Sequence, residues 1–211
     1  MLALLARLQA FSITDMPLFF LIFYGACGVM LYRFWRTMFG AEAAFCFAVP
    51  LNAGKQIACR LSVFAAESIC VGILLTAALL LQGEEVCGLL LSLSASKTAL
   101  LALMIAISLF LLAVGCAFAL TLGNLPIFRR RRALWCAAFV LGLFALDRLA
   151  SPLLTALPDR VLAVQAAPTA LEDMAPVGFS FSLRYLAFEL IEAAGGAWLM
   201  ALLTKRYMRL E

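Results

Sequence analysis

Ionisable residues inside long apolar stretches are the part of this sequence with the clearest capacity for chemistry. Five of them interrupt otherwise apolar runs: Glu67, Asp147, Arg148, Glu189 and Glu192. A charge in hydrocarbon is costly, so each is a candidate functional residue. Counted at about 1.5 Å per residue from the flanking basic residues, Arg148 and Glu189 both lie about 24 Å deep, and Glu192 shares the helix face of Glu189. We therefore predict an ion pair between Arg148 and Glu189 or Glu192, with a structural role favoured over substrate contact.

Enzyme chemistry has little support in this sequence. The chain contains no histidine, which removes the common nucleophilic triads and the commonest general base. Its seven cysteines include no CxxC pair, so no zinc site is indicated. Lys55, in "NAGKQ", lacks the first glycine and the hydroxyl residue of a phosphate-binding loop. We expect no catalytic residue, no metal site and no bound cofactor; an intramembrane enzyme using Glu84 or Glu85 stays as a disfavoured alternative.

The elements that position these residues are predicted to be transmembrane helices. Apolar residues make up 66% of the 211 residues and charged residues 13%, whereas a soluble domain is about half apolar and a quarter charged. Unbroken apolar runs of roughly 17 to 25 residues span a bilayer as helices, and strands of a barrel would instead alternate. We predict one all-α, polytopic domain over residues 1–211, with five spans at Met16–Tyr32, Leu61–Leu81, Thr98–Leu122, Ala133–Leu157 and Phe181–Leu203.

The basic residues predict the orientation, because lysine and arginine near span ends collect on the cytoplasmic side. One set of loops holds eleven of the sixteen basic residues and only two acids, Glu42 and Glu211. The net charge of +4 therefore reflects topology and indicates no nucleic-acid partner. We predict a multi-pass protein of the cell (plasma or inner) membrane, with its C-terminus in the cytoplasm and its N-terminus outside. The eleven residues are Arg33, Arg36, Lys55, Arg60, Arg129 to Arg132, Lys205, Arg206 and Arg209.

Several segments carry weaker predictions. Residues 1–15 are either an amphipathic segment at the outer interface or the remnant of a further first span, which would make six. Residues 158–178 are expected to form a short interfacial helix or re-entrant piece, and residues 86–94 to do the same. Glu67, about 10 Å deep, is expected to hydrogen-bond at a helix interface. Close helix packing is expected at Gly25 and Gly28 and at the small residues 193–197.

The segment from Arg33 to Leu61, "RFWRTMFGAEAAFCFAVPLNAGKQIACRL", is basic and partly amphipathic. If residues 37–48 form a helix, Met38 and Phe45 share one face that can lie flat on the membrane. Phe39 and Phe47 point away from that face and would need cover from a partner protein. Pro50 then ends the helix. The alternative is an ordinary interfacial loop with snorkelling arginines.

This segment resembles, without gaps, a cytoplasmic segment of the permease subunits of bacterial type-two ABC exporters. That family shows an Arg-Phe-aromatic-basic block, Leu-Phe, an acid, Leu-Pro-Val and Ser-Lys-Leu. The sequence departs from the family where Gly-Tyr-Leu follows the acid, and in having one span instead of two before the Arg-Phe block. The C-terminal "LLTKRYMRLE" is similar to that family's ending. The matching residues are Arg33 to Arg36, Met38 and Phe39, Glu42, Val49 to Leu51 and Cys59 to Leu61.

The resemblance implies a permease subunit that pairs with a second, identical or homologous permease and with ABC ATPase subunits, which carry the ATP and magnesium. Membrane lipid is the other expected partner. Two alternatives remain: a non-transporting scaffold or accessory subunit, and a proton-coupled secondary transporter using Glu67 or Glu189. The resemblance assigns ATPase coupling to Arg33, Phe34, Trp35, Arg36, Phe39, Glu42, Phe45, Pro50 and Arg60.

Overall fold

The computed structural model describes residues 17–40, 42–43, 52–81, 95–155, 161–165 and 178–207. The predictions for residues 1–15, for Phe45, Phe47 and Pro50 and for residues 86–94 concern segments outside the described residues. So does the suggestion that Glu84 or Glu85 acts in catalysis.

Five helices account for most of the described chain and confirm an all-α, polytopic membrane fold. Four of them, α2 to α5, are long and apolar enough to cross a bilayer, which confirms four of the predicted spans. The remaining helix, α1, contains the first predicted span and continues past it through the Arg33 to Arg36 block. The bounds are α1 Pro17–Met38, α2 Ala53–Leu81, α3 Ala95–Gly123, α4 Arg132–Thr155 and α5 Leu183–Tyr207.

Helix α3 is the centre of the bundle. It packs against each of the other four helices, while α2 also packs against α1 and α5. Its spanning window has a mean hydropathy of 2.7 and is 44% buried, whereas none of the α4 window is buried. A helix that is apolar on all sides suits a position surrounded by protein. The outer helices expose large apolar side chains such as Leu141, Leu149 and Ile191, as expected for surfaces in contact with lipid.

Two helices approach each other closely at Gly72, where α2 crosses α3. A Cβ atom at Gly72 would lie 2.6 Å from the carbonyl oxygen of Ala102, so only glycine fits there. The predicted close packing at Gly25, Gly28 and Gly195 is not formed, since nothing lies within 4 Å of a Cβ atom built there. Among the small residues 193–197, Gly196 does lie close to another helix, because a Cβ atom built there would be in van der Waals contact with Phe118 of α3.

A short 3-10 helix, Pro126–Arg131, joins α3 to α4. It places Phe128 beside two aromatic residues of the first turns of α4, with ring centroids 4.6 Å from Trp135 and 5.5 Å from Phe139. Aromatic residues next to arginines are typical of the interface between membrane and water. This junction is part of what we call the basic end of the bundle, which also contains Arg36, Lys55, Arg60, Lys205 and Arg206.

The segment between α4 and α5 corrects one prediction. Residues 161–165 form strand β1 (Val161–Gln165), which pairs antiparallel with β2 (Gly178–Ser182) directly before α5. The prediction of a short interfacial helix or re-entrant piece over residues 158–178 is therefore wrong for residues 161–165. The alternation in "GFSFS" has the period of two that is typical of a strand, and a paired hairpin satisfies backbone groups that an irregular segment would leave open.

Candidate functional site

A cavity opens on one side of α3, between α4 and α5. In the described chain α4 and α5 both pack on α3 but make little contact with each other. The space between them has a volume of about 640 Å³, including its open mouth. Small residues contribute to this space, because Gly115, Ala193 and Gly196 line the cavity and present little or no side chain.

Three carboxyl side chains line this otherwise apolar cavity. Asp147 comes from α4, and Glu189 and Glu192 come from adjacent turns of α5. The i, i+3 spacing of the two glutamates puts them on the same face of α5, so they share one wall. Among the described residues that line it, the charged ones are all acidic. The apolar lining residues are Leu111, Leu112, Val114 and Phe118 of α3 and Val140, Leu143 and Phe144 of α4.

The predicted ion pair of Arg148 with Glu189 or Glu192 is not formed. Arg148 is exposed, and no salt bridge joins it to either glutamate in the described part of the chain. Its neighbour Asp147 faces the glutamates instead, because consecutive residues of a helix point about 100° apart. The predicted equal depth of Arg148 and Glu189 placed α4 next to α5. Counting residues along the chain does not show which side chain of α4 faces the cavity.

A second polar cluster joins α1 to α2 at the basic end. Arg33 of α1 forms a salt bridge with Glu67 of α2. Arg60 of α2 donates two hydrogen bonds to Thr37 of α1, one to its hydroxyl oxygen at 2.8 Å and one to its carbonyl oxygen at 3.2 Å. The Thr37 hydroxyl in turn donates to backbone carbonyls one turn earlier, with oxygens 3.0 and 3.1 Å away. We call Arg33, Thr37, Arg60 and Glu67 the α1–α2 clamp.

Aromatic packing lies beneath the clamp. Phe34 is buried, with its ring centroid 5.8 Å from Phe64 of α2 and 6.3 Å from Phe39. Phe39 packs against the core of the bundle, so the chain itself covers a side chain that was expected to require a partner protein. The predicted helix from Thr37 also begins differently, because Thr37 and Met38 are the last residues of α1 and the chain turns at Phe39 and Gly40.

On its exposed side, the end of α1 carries aromatic and charged side chains. Trp35 is 41% exposed and stacks on Tyr32, with ring centroids 6.5 Å apart. Arg36 reaches past the turn and forms a salt bridge of 2.7 Å with Glu42, and both side chains stay about half exposed. We call Tyr32, Trp35, Arg36 and Glu42 the outer surface of α1. Of the residues assigned to coupling by resemblance, three therefore lie on this surface, whereas Phe34 and Phe39 face the bundle.

Sequence reasoning missed the cavity and the partners within the clamp. Glu67 was expected to hydrogen-bond across a helix interface, and it does contact another helix, but its partner Arg33 was placed in a loop. The available signal was antiparallel geometry: residues near the end of α1 can meet residues in the first half of α2. The cavity has no such signal, because it depends on how far α4 and α5 stand apart.

Comparisons with known proteins identify no relative. No family model, curated protein or solved structure matches this chain. Among the residues that the structure describes, no three His, Cys, Asp or Glu side chains lie close enough to hold a metal ion. The geometry therefore defines two features. One is an apolar intramembrane cavity lined by three carboxylates, and the other is the α1–α2 clamp at the basic end of the bundle.

Proposed function

We propose that this chain is the transmembrane subunit of an ATP-driven ABC exporter, coupled to separate ATPase subunits. The observation that carries this proposal is the construction of the junction between α1 and α2. The first part of the segment that resembles the exporter permeases, Arg33 to Met38, continues α1, and both a polar clamp and an aromatic core join it to α2. Because these contacts hold α1 against α2, a force on the end of α1 moves both helices together.

The proposed route of coupling runs from the outer surface of α1 to the cavity. An ATPase subunit that binds at Trp35, Arg36 and Glu42 moves the end of α1, and the clamp carries α2 with it. Because α3 packs against both helices and also forms one wall of the cavity, a shift of α1 and α2 repositions that wall. The transition is an exchange between inward-open and outward-open states, driven by ATP and magnesium on the partner subunit.

The proposal includes an assembly and an orientation. A second, identical or homologous permease completes the transport pathway, and lipid surrounds the remaining apolar surface. The basic end lies in the cytoplasm, as the distribution of lysine and arginine predicts, so that the outer surface of α1 is accessible to a soluble ATPase.

Affinity purification from native membranes tests this function. The tagged chain is expected to retain an ABC ATPase subunit, scored by mass spectrometry, and the Glu42→Lys variant is expected to lose it. An exchange of both charges, Arg36→Glu with Glu42→Arg, is the matched control. It keeps the intrachain salt bridge but reverses the surface, so loss of the ATPase in this variant separates docking from folding. Absence of any ATPase from the wild-type sample would contradict the proposal and favour a scaffold or accessory role.

A proton-coupled secondary transporter is the second candidate, and the carboxylates of the cavity favour it. Glu189, Glu192 and Asp147 lie in apolar surroundings, where carboxyl groups in transporters bind and release protons. The discriminating measurement is transport in right-side-out vesicles depleted of ATP. Transport that follows an imposed proton gradient there would select this function over the ABC exporter.

A further inference from the structure

The turn that joins α3 to α4 is packed firmly against the bundle. Phe128 of the 3-10 helix packs on Trp135 and Phe139 of α4, with ring centroids 4.6 and 5.5 Å away. At the same junction, a Cβ atom at Gly123 would lie 3.0 Å from the backbone nitrogen of Cys136. The end of α3 and the start of α4 are therefore in direct contact, and this contact fixes the position of the residues between them.

Three exposed arginines of this turn form no salt bridge with any of the described residues. We call Arg130 to Arg132 the arginine cluster. No acidic residue occurs between positions 86 and 146 of the sequence. The acids described in α2 and after α1, Glu67 and Glu42, each pair with an arginine of α1. The arginine cluster therefore presents positive charge that the described chain does not neutralise.

Exposed apolar side chains accompany the arginine cluster. Ile127, Leu134 and Trp135 are 77%, 57% and 38% exposed. Side chains three residues apart eclipse in a 3-10 helix, so Ile127 lies on the side of Arg130. On α4, Trp135 shares a face with Arg132 three residues earlier, and it lies deeper because α4 runs from this turn into the bilayer. Since apolar side chains are costly in water, they lie among acyl chains, with the arginines at the level of the headgroups.

The chemistry of the arginine cluster selects the phosphate of a lipid headgroup. A guanidinium group donates two parallel N–H bonds to phosphate oxygens. A zwitterionic headgroup carries its own ammonium, which competes for the phosphate, whereas a headgroup of net negative charge contains no such cation. Clustered basic residues at the membrane surface attract anionic lipids. The apolar side chains beside the arginines favour a lipid over an acidic soluble protein, because a lipid contacts both groups.

We propose that the arginine cluster binds an anionic phospholipid, whose headgroup phosphate contacts the guanidinium groups and whose acyl chains contact Ile127, Leu134 and Trp135. The site lies in the leaflet at the basic end of the bundle. It requires only this chain and a bilayer, so it is independent of the proposed export function. A lipid bound there anchors the ends of α3 and α4, two of the helices that line the cavity.

Quenching of Trp135 fluorescence by brominated lipids tests this site, because bromine quenches an indole only at short range. The chain keeps Trp135 as its single tryptophan, through Trp35→Phe and Trp198→Phe, and is reconstituted in phosphatidylcholine vesicles. Dibrominated phosphatidylglycerol or dibrominated phosphatidylcholine is then included at the same mole fraction. We expect phosphatidylglycerol to bind next to Trp135 about tenfold more strongly. Equal quenching by the two lipids would overturn the proposal.

Two matched pairs of substitutions show whether the arginine cluster is responsible. Arg130→Gln with Arg131→Gln is expected to reduce the preference for phosphatidylglycerol about tenfold, to near equality. Lys205→Gln with Arg206→Gln removes as many charges from the basic end, on α5, and is expected to preserve the preference. Quenching by brominated phosphatidylcholine should be the same in all variants, which controls for insertion and folding. Equal losses in the two pairs would contradict this location.

A chain with Trp198 as its single tryptophan provides a second location. Trp198 is 64% exposed on α5 and lies outside the arginine cluster, so we expect the two brominated lipids to quench it about equally. A preference for phosphatidylglycerol as large as that at Trp135 would show uniform enrichment of anionic lipid around the chain. That result would overturn a specific site at the α3–α4 turn.

A soluble protein is the competing occupant of the arginine cluster. If Trp135 showed no lipid preference, and Arg130→Gln with Arg131→Gln removed an ABC ATPase from the complex purified from native membranes, the cluster would belong to that protein. A preference for phosphatidylglycerol with no ATPase in the purified complex keeps the lipid site and removes the export assignment. The two proposals therefore fail in distinguishable ways.

Discussion

At the scale of single residues, the charges inside the apolar runs were the most informative feature of the sequence, although their partners were not. Glu67 was expected to bond at a helix interface, and it forms a salt bridge with Arg33 of α1. Glu189 and Glu192 were correctly placed on one face, but Asp147 joins them where Arg148 was expected. Sequence spacing fixes depth and face within one helix. It does not fix the rotation of a helix relative to its neighbours, which decides which of two adjacent residues faces inward.

The salt bridge of the α1–α2 clamp can be tested by exchanging its charges. Glu67→Arg places two like charges together, and we expect it to lower the stability of the chain in detergent by about 1 kcal/mol, a modest value because Arg33 is largely exposed. Adding Arg33→Glu restores the opposite charges and is expected to recover most of the loss. Thermal unfolding is measured for Glu67→Arg, Arg33→Glu and the double variant. If the destabilisation of the double variant equalled the sum for the two single variants, the two residues would not interact.

At the scale of helices and strands, the positions of the spans could be predicted because their signal is local. Each predicted run coincides with a helix, and the structure extends α2 and α5 at the basic end. The hairpin before α5 was missed because its strands are only five residues long and pair across a separation that periodicity does not reveal. Close packing was expected at glycine-rich positions and occurs at Gly72 instead, because contact depends on where helices cross.

The crossing of α2 and α3 predicts a specific sensitivity to one methyl group. Gly72→Ala places a Cβ atom against the backbone of Ala102, so the helices must separate, and we expect a loss of about 1 to 3 kcal/mol in unfolding free energy. Gly28→Ala is the control, because nothing lies within 4 Å of the added atom. It is expected to be neutral or slightly stabilising, since alanine favours a helix over glycine. Equal destabilisation by both substitutions would argue against this crossing.

The packing of α1 on α3 predicts that mild oxidation can form a disulfide between these two helices. The thiols of Cys27 and Cys116 lie beside each other. In a chain that keeps only these two cysteines, mild oxidation with copper phenanthroline is expected to remove both free thiols and to give a faster-migrating band in a denaturing gel. A chain with only Cys59 and Cys116 should keep its thiols. Persistence of both thiols in the first chain would contradict the contact between α1 and α3.

At the scale of the whole molecule, the fold places one central helix between two candidate functional regions. Helix α3 contacts α1 and α2, which form the clamp, and it also forms a wall of the cavity with α4 and α5. The sequence supported the membrane class and the helix order, because composition and hydropathy determine both. It did not support the central position of α3 or the cavity, which arise from packing between distant segments.

The central claim is that ATP hydrolysis on a partner subunit changes the cavity through the clamp. The most direct test is the labelling rate of Cys116, as the single cysteine, in native membranes with and without ATP, magnesium and vanadate. Cys116 lines the cavity, and we predict a change in its rate of about fivefold or more on trapping. This change is lost in the Glu42→Lys variant and retained in Gly28→Ala, a substitution outside the clamp and the cavity. An identical rate in the presence and absence of ATP would contradict the account.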